Sequence, residues 1–273
     1  MPTTTAAPCS IAQTFDALKQ RGQIAFMPFV PVGYPDLETT LATLPALEAA
    51  GANIIEIGIP FSDPIADGPT IQASFTAALA KKLRLADVFA TIKKARPTVS
   101  IPLVAMVSFS IVYRYGLERF LAAAKDAGFN GLILPDLPPP EAQAIVDKVR
   151  AAGLDTILLV APTTTVERRK EIGRLSSGFV YYLSVAGITG ERDQLPPELA
   201  EGVRNMKSVT DRPVCVGFGI SLPRHVAQLK GVADGAIVGS AVVKRMTQHA
   251  SEGPRAIAEA VGAYCRDLLK DVR

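Results

Sequence analysis

The chain alternates between short runs that are apolar at nearly every position and longer stretches in which apolar residues recur every three or four. Eight of the short runs read as strands: Ile24–Val30, Asn53–Ile59, Leu103–Val107, Gly131–Leu134, Thr156–Val160, Phe179–Leu183, Val214–Gly217 and Gly235–Val238. Helical patterns lie between them, near Leu37–Ala50, Thr70–Leu79 with Asp87–Ala95, Leu117–Ala127, Glu141–Ala152, Val166–Leu175, Glu198–Ser208 and Pro223–Leu229. Gly51, Gly128 and Gly153 follow three of these stretches, where a left-handed helix cap costs glycine least. Strands that are apolar on both faces and separated by helices imply a parallel sheet. Eight such units in about 250 residues imply an α/β closed barrel, the (β/α)₈ TIM barrel, rather than an open doubly wound sheet. Two further helices flank it, Ile11–Gln20 before the first strand and Arg255–Leu269 after the last. No linker or low-complexity segment interrupts the pattern, so residues 1–273 read as a single domain.

One strand breaks the apolar rule. Glu56 sits between Ile55 and Ile57 in the second strand, on the side it shares with Ile54 and Gly58, where a charge is costly. Asp67 follows eleven residues later in a Pro- and Gly-rich stretch, Pro60 to Pro69, that reads as an ordered loop. Active sites of this fold lie at the C-terminal ends of the strands and in the loops that follow. One strand and its loop therefore carry two acids to the catalytic face. Asp63, between Ser62 and Pro64, reads as a turn residue.

The loops after strands seven and eight, where such barrels bind phosphate, read Gly217-Phe218-Gly219-Ile220-Ser221 and Val238-Gly239-Ser240-Ala241. Glycine lets the backbone approach an anion closely, and Ser240 suits the cap of a short helix while offering its hydroxyl. A third segment, Ser184 to Arg192, continues through Pro196 and Pro197 and is long for such a connection. Long loops in compact domains often serve as lids. Gly187 and Gly190 suit hinges there, and Thr189 can hydrogen-bond a partner on closure.

Composition narrows the chemistry. At 273 residues and 48% apolar content the chain can bury a large core, and a net charge of +3 from scattered basic residues gives no footprint for nucleic acid. Cys9, Cys215 and Cys265 are odd in number and widely spaced, so neither a disulfide framework nor a structural zinc site is expected, and a reducing compartment, the cytoplasm, fits. The N-terminus does not resemble a secretory signal. The longest uncharged run, Pro97 to Tyr113, is too short and too broken by proline and serine for a membrane span, and reads as a strand followed by an apolar loop. No lysine falls in an expected strand, which disfavours a Schiff-base aldolase. His225 and His249 lack clustered carboxylate or cysteine partners, so no metal site is expected and both read as surface histidines. Proton transfer by Glu56 and Asp67 on a phosphorylated small molecule remains.

The stretch IEIGIPFSDPIADGP closely resembles the signature of the tryptophan synthase alpha chain family. The resemblance continues through FVPVGYPD at Phe29–Asp36, LILPDLP at Leu132–Pro138, YYLSVAGITG at Tyr181–Gly190, and VGFGIS and VGSAVV around Gly217 and Gly239. It implies a lyase that cleaves indole-3-glycerol phosphate to indole and glyceraldehyde 3-phosphate by a retro-aldol step, without metal or organic cofactor. By the same resemblance, Glu56 is the acid/base group and Asp67 holds the indole N–H. Phe29 and Tyr181 line the substrate cavity, Thr189 meets Asp67 on lid closure, and Gly190, Gly219, Gly239 and Ser240 hold the phosphate. The family pairs with a beta chain, as an α₂β₂ heterotetramer, and pyridoxal phosphate belongs to that partner.

Family members carry a Thr-Tyr-Tyr-Asn-Pro-like stretch after strand three, where this chain reads Val107-Ser108-Phe109-Ser110-Ile111. The family uses that loop against the beta chain, so the departure concerns docking rather than chemistry. Two alternatives share the same residues: a stand-alone lyase that releases free indole, and a silent phosphate-binding subunit that activates a partner. Intact Glu56 and Asp67 argue against the second.

Overall fold

Eight parallel strands close on themselves in sequence order, β1 through β8. They are β1 Ala25–Pro31, β2 Ile55–Gly58, β3 Leu103–Met106, β4 Gly131–Ile133, β5 Asp155–Val160, β6 Val180–Leu183, β7 Val214–Gly217 and β8 Gly235–Val238. The barrel is sealed by β1 pairing with β8, Ala25 opposite Gly235. The computed structural model describes residues 9–64, 67–137, 141–184, 198–217 and 219–270. All eight expected strands are present, and β2, β3, β4 and β6 are a residue or more shorter than their apolar runs.

The helices are α1 Ile11–Gln20, α2 Leu37–Ala50, α3 Pro69–Ala80, α4 Leu85–Ala95, α5 Phe109–Tyr115, α6 Leu117–Ala127, α7 Ala142–Ala151, α8 Val166–Leu175, α9 Leu199–Lys207, α10 Pro223–Leu229, α11 Ser240–Gln248 and α12 Pro254–Leu269. Their boundaries follow local chemistry. Asp36 caps α2 by accepting from the Thr39 N–H at 2.7 Å, and Gly51 and Gly128 end α2 and α6 at φ +104 and +96. Helix α1 plugs the N-terminal end of the barrel with buried Ile11, Phe15 and Leu18, the Phe15 ring lying 6.0 Å from that of Phe179. Arg96 braces the same end, donating to the carbonyls of Gly128, Val99 and Ile101 and to Asn130 Oδ1 at 2.7–3.0 Å.

Inside the barrel the side chains fill the space. A Cβ on Gly235 would come within 2.7 Å of the Met27 methyl and 2.8 Å of the Cys215 sulfur, so glycine there makes room for two larger neighbours. Among the described residues no helix is long and apolar enough to cross a membrane.

Two expectations need correction. The apolar loop after strand three is the helix α5, capped by Ser108, whose side chain accepts from the Ser110 N–H. His225 is not on the surface: it is fully buried in α10, and its Nδ1 accepts from the Ser221 N–H at 3.2 Å. His249, by contrast, contacts Glu252 at 3.0 Å at the end of α11.

Candidate active site

Strand β2 delivers Glu56 to the barrel interior, in register with Phe29 of β1 and Val104 of β3. The side chain is 3% exposed, and its Oε2 has no hydrogen-bond partner among the described residues. A buried carboxyl group with an oxygen that no donor reaches favours its neutral form. Burial, reinforced by the charge of Asp67, carries the Glu56 pKa from 4.5 to about 8. At neutral pH this group therefore holds a proton.

Asp67 reaches the same cavity from the β2–α3 loop. Its carbonyl accepts from Gln72 Nε2 at 2.8 Å, while Gly68 and Pro69 start α3 immediately behind it. The side chain is half-buried, and burial raises its pKa from 3.8 to about 6. Two neighbouring carboxyl groups thus differ at neutral pH, one protonated and one ionised, the separation that assigns acid and base roles. Asp63, in the same loop, is exposed and bonded to Ser62, as a turn residue should be.

Phe29 and Tyr181 form the apolar walls, each with room made by a glycine. A Cβ on Gly58 would run into the Phe29 ring, and one on Gly217 into the Tyr181 ring. Burial, then the charges of Glu56 and Asp67, push the Tyr181 phenol well above 10, so it stays neutral. Glu56, Asp67, Phe29 and Tyr181 line one cavity of about 740 Å³. Gly219, Gly239 and Ser240 line it at another part of its wall.

That end is built from backbone. Gly219 turns the chain at φ +77, a left-handed conformation suited to glycine, and α11 begins at the cavity with Gly239 as its cap residue. Ser240 is the first helical residue rather than the cap, so it presents a hydroxyl together with a helix N-terminus whose first N–H groups lack intrahelical partners. Four residues on, Lys244 is the one cationic side chain lining the cavity among the described residues. The sequence reading missed it. Its signal was the four-residue spacing from Ser240, which puts both on one helix face. Thr189 and Gly190 lie outside the described residues.

The family model described as tryptophan synthase alpha chain matches residues 15–273. This chain belongs to the tryptophan synthase alpha chain family. The alpha chain of Rippkaea orientalis is 43% identical over 265 residues, covering 97% of this chain and 98% of the relative. That of Chloroflexus aurantiacus is 44% identical over 263 residues, with 96% and 98% covered. Among solved structures, a mutant tryptophan synthase alpha subunit from Pyrococcus furiosus is 38% identical with a TM-score of 0.83, covering 90% of this chain and 98% of that one. The aminoacrylate-bound tryptophan synthase of M. tuberculosis gives 36% identity and a TM-score of 0.81, covering 94% of this chain and all of that one. The tryptophan synthase alpha chain family is a family of lyases in tryptophan biosynthesis. For a member of it, the cavity offers an acid at neutral pH, an adjacent carboxylate, flat aromatic walls and an anion-friendly backbone end.

Proposed function

We propose that this chain cleaves indole-3-glycerol phosphate to indole and glyceraldehyde 3-phosphate, with Glu56 as the acid/base group and Asp67 as the electrostatic partner. The observation that carries the reading is the split between the two carboxyl groups in one cavity, Glu56 at about 8 and Asp67 at about 6. Protonated Glu56 gives its proton to indole C3, and the ring nitrogen takes up the positive charge. Ionised Asp67 accepts the N–H of that cationic ring and stabilises it. Glu56, now a carboxylate, removes the proton from the glycerol hydroxyl next to the bond to the ring. That hydroxyl oxygen becomes the aldehyde oxygen as the carbon–carbon bond breaks, and the bonding pair returns to the ring to restore neutral indole. Glu56 ends protonated, as it began, so one proton is given and one regained.

Phe29 and Tyr181 sandwich the indole in this reading, and Gly219, Gly239 and Ser240 hold the phosphate with backbone N–H groups, with Gly190 and Thr189 completing the closed site. Lys244 adds the compensating charge. No step calls for a metal or organic cofactor. We infer a beta chain carrying pyridoxal phosphate as partner, in an α₂β₂ assembly, in the cytoplasm. Helix α5 supports a docking role, with Tyr113 77% exposed while the preceding Val112 is fully buried. The test is indole release from indole-3-glycerol phosphate by the purified chain, with and without a beta subunit. Indole and glyceraldehyde 3-phosphate in equal amounts, formed faster with the partner, support the reading; no cleavage under either condition removes it.

A further inference from the structure

We propose that His225 and Tyr264 are positioning residues for the phosphate end of the cavity, gripping the peptide groups on either side of Ser221 and so fixing the turn between β7 and α10. The Ser221 N–H donates to His225 Nδ1 at 3.2 Å, and the Ser221 carbonyl accepts from the Tyr264 hydroxyl at 2.8 Å. One partner comes from α10 and the other from α12, 43 residues along the chain from Ser221. The turn is thereby tied to two separate helices.

The chemistry of each partner suits this task. His225 is fully buried and offers its Nδ1 as an acceptor, and a ring held inside the protein fixes the direction of that bond. Tyr264 is half-buried, and the Arg245 guanidinium lies over its ring, 5.0 Å from the centroid. Arg245 belongs to α11, the helix that opens at Ser240. One tyrosine thus contacts the Ser221 carbonyl and a side chain of the helix that begins at Ser240.

The turn faces the cavity. Gly219 has nothing within 4 Å of where a Cβ would stand, so no side chain fills the space on that side of the backbone. Ile220 is buried, and Ser221 lines the cavity beside Gly219. Backbone donors bind an anion best when their geometry is fixed beforehand, because a glycine turn that must be ordered on binding costs conformational entropy. This inference rests on the reading that the cavity takes a phosphorylated substrate.

The experiment compares wild type with Tyr264→Phe, His225→Leu and His225→Asn, measuring glycerol 3-phosphate and indole binding by calorimetry, cleavage kinetics and thermal melting. Tyr264→Phe removes one hydroxyl and keeps the ring under Arg245; His225→Asn keeps an acceptor near the Nδ1 position, which His225→Leu lacks. Tyr264→Phe is expected to weaken glycerol 3-phosphate binding roughly 3- to 10-fold, the effect of one hydrogen bond. KM should rise by a similar factor with kcat and indole affinity nearly unchanged, and His225→Asn should bind glycerol 3-phosphate better than His225→Leu. Wild-type affinity for glycerol 3-phosphate in Tyr264→Phe would overturn the clamp, as would an equal loss for indole. Failure of the wild type itself to bind glycerol 3-phosphate would instead strike the phosphate reading, and the clamp with it.

Discussion

The Asp67 charge acts on Glu56 across the cavity, adding to the burial that carries the Glu56 carboxyl to about 8. The proposed activity needs Asp67 ionised and Glu56 protonated at once. On the acid side kcat/KM should rise as Asp67 ionises near pH 6, and on the basic side it should fall as Glu56 loses its proton near pH 8. A bell with its maximum near pH 7 is expected for the isolated chain. Asp67→Asn should lower the rate, abolish the acid limb and, by removing the like charge, move the basic limb to lower pH. Initial rates from pH 5 to 10 check this, and a flat wild-type profile between pH 6 and 8 would contradict it.

The same shift makes a stability prediction. Below the ordinary value of 4.5 Glu56 is protonated in both folded and unfolded chains, so it carries no charge-related cost. Between 4.5 and about 8 the unfolded chain ionises while the folded chain keeps its proton, so native stability falls as pH rises through that window. Glu56→Gln has no such titration. Relative to wild type it should gain on the order of 2–5 kcal/mol between pH 5 and pH 8. Urea unfolding at the two pH values measures the change, and an equal difference at both would contradict the assigned burial cost.

Gly239→Asp tests the anion end. A Cβ on Gly239 would meet only the Phe29 Cβ, at 3.9 Å, so there is room for a side chain. The carboxylate would then stand at the start of α11 where a phosphate is expected, and like-charge repulsion should weaken glycerol phosphate inhibition by at least about 10-fold. Circular dichroism should show an intact fold. Unchanged inhibition would move the anion site elsewhere.

Docking of the partner is expected to run through Tyr113 rather than Phe109. Phe109 is half-buried with its ring 6.3 Å from that of Tyr113, and its N–H donates to Asp136, so Phe109→Asp would disturb α5 itself. Tyr113→Ala removes an exposed ring, and should weaken beta-chain affinity by roughly 1–3 kcal/mol while sparing basal cleavage. Calorimetry against a beta subunit decides it: normal affinity would remove Tyr113 from the contact.

The barrel was legible because its eight strands are short, nearly continuous apolar runs, and because Glu56 stands out as a charge within one of them. Helix α5 was not legible, since its stability is not local. Ser108 and the Phe109 N–H both bind the Asp136 carboxylate at 2.6 Å, a residue on the far side of β4 in sequence. The burial of His225 was hidden for a similar reason, as its role depends on a turn that α12 also grips through Tyr264. Ser240 lines the cavity one position inside its helix rather than at the cap, because a glycine in an irregular conformation, φ −100 and ψ −87, took the cap. Lys244 became visible only once the phase of α11 was known.

The most direct test of the account is single-turnover cleavage of indole-3-glycerol phosphate by wild type and Glu56→Gln, with substrate affinity measured in parallel by calorimetry. Glutamine keeps the shape of the side chain but cannot give or take the proton, so indole formation should fall roughly 10²- to 10⁴-fold while affinity changes little. Near-normal indole formation by Glu56→Gln would contradict the assignment of Glu56 and with it the proposed mechanism.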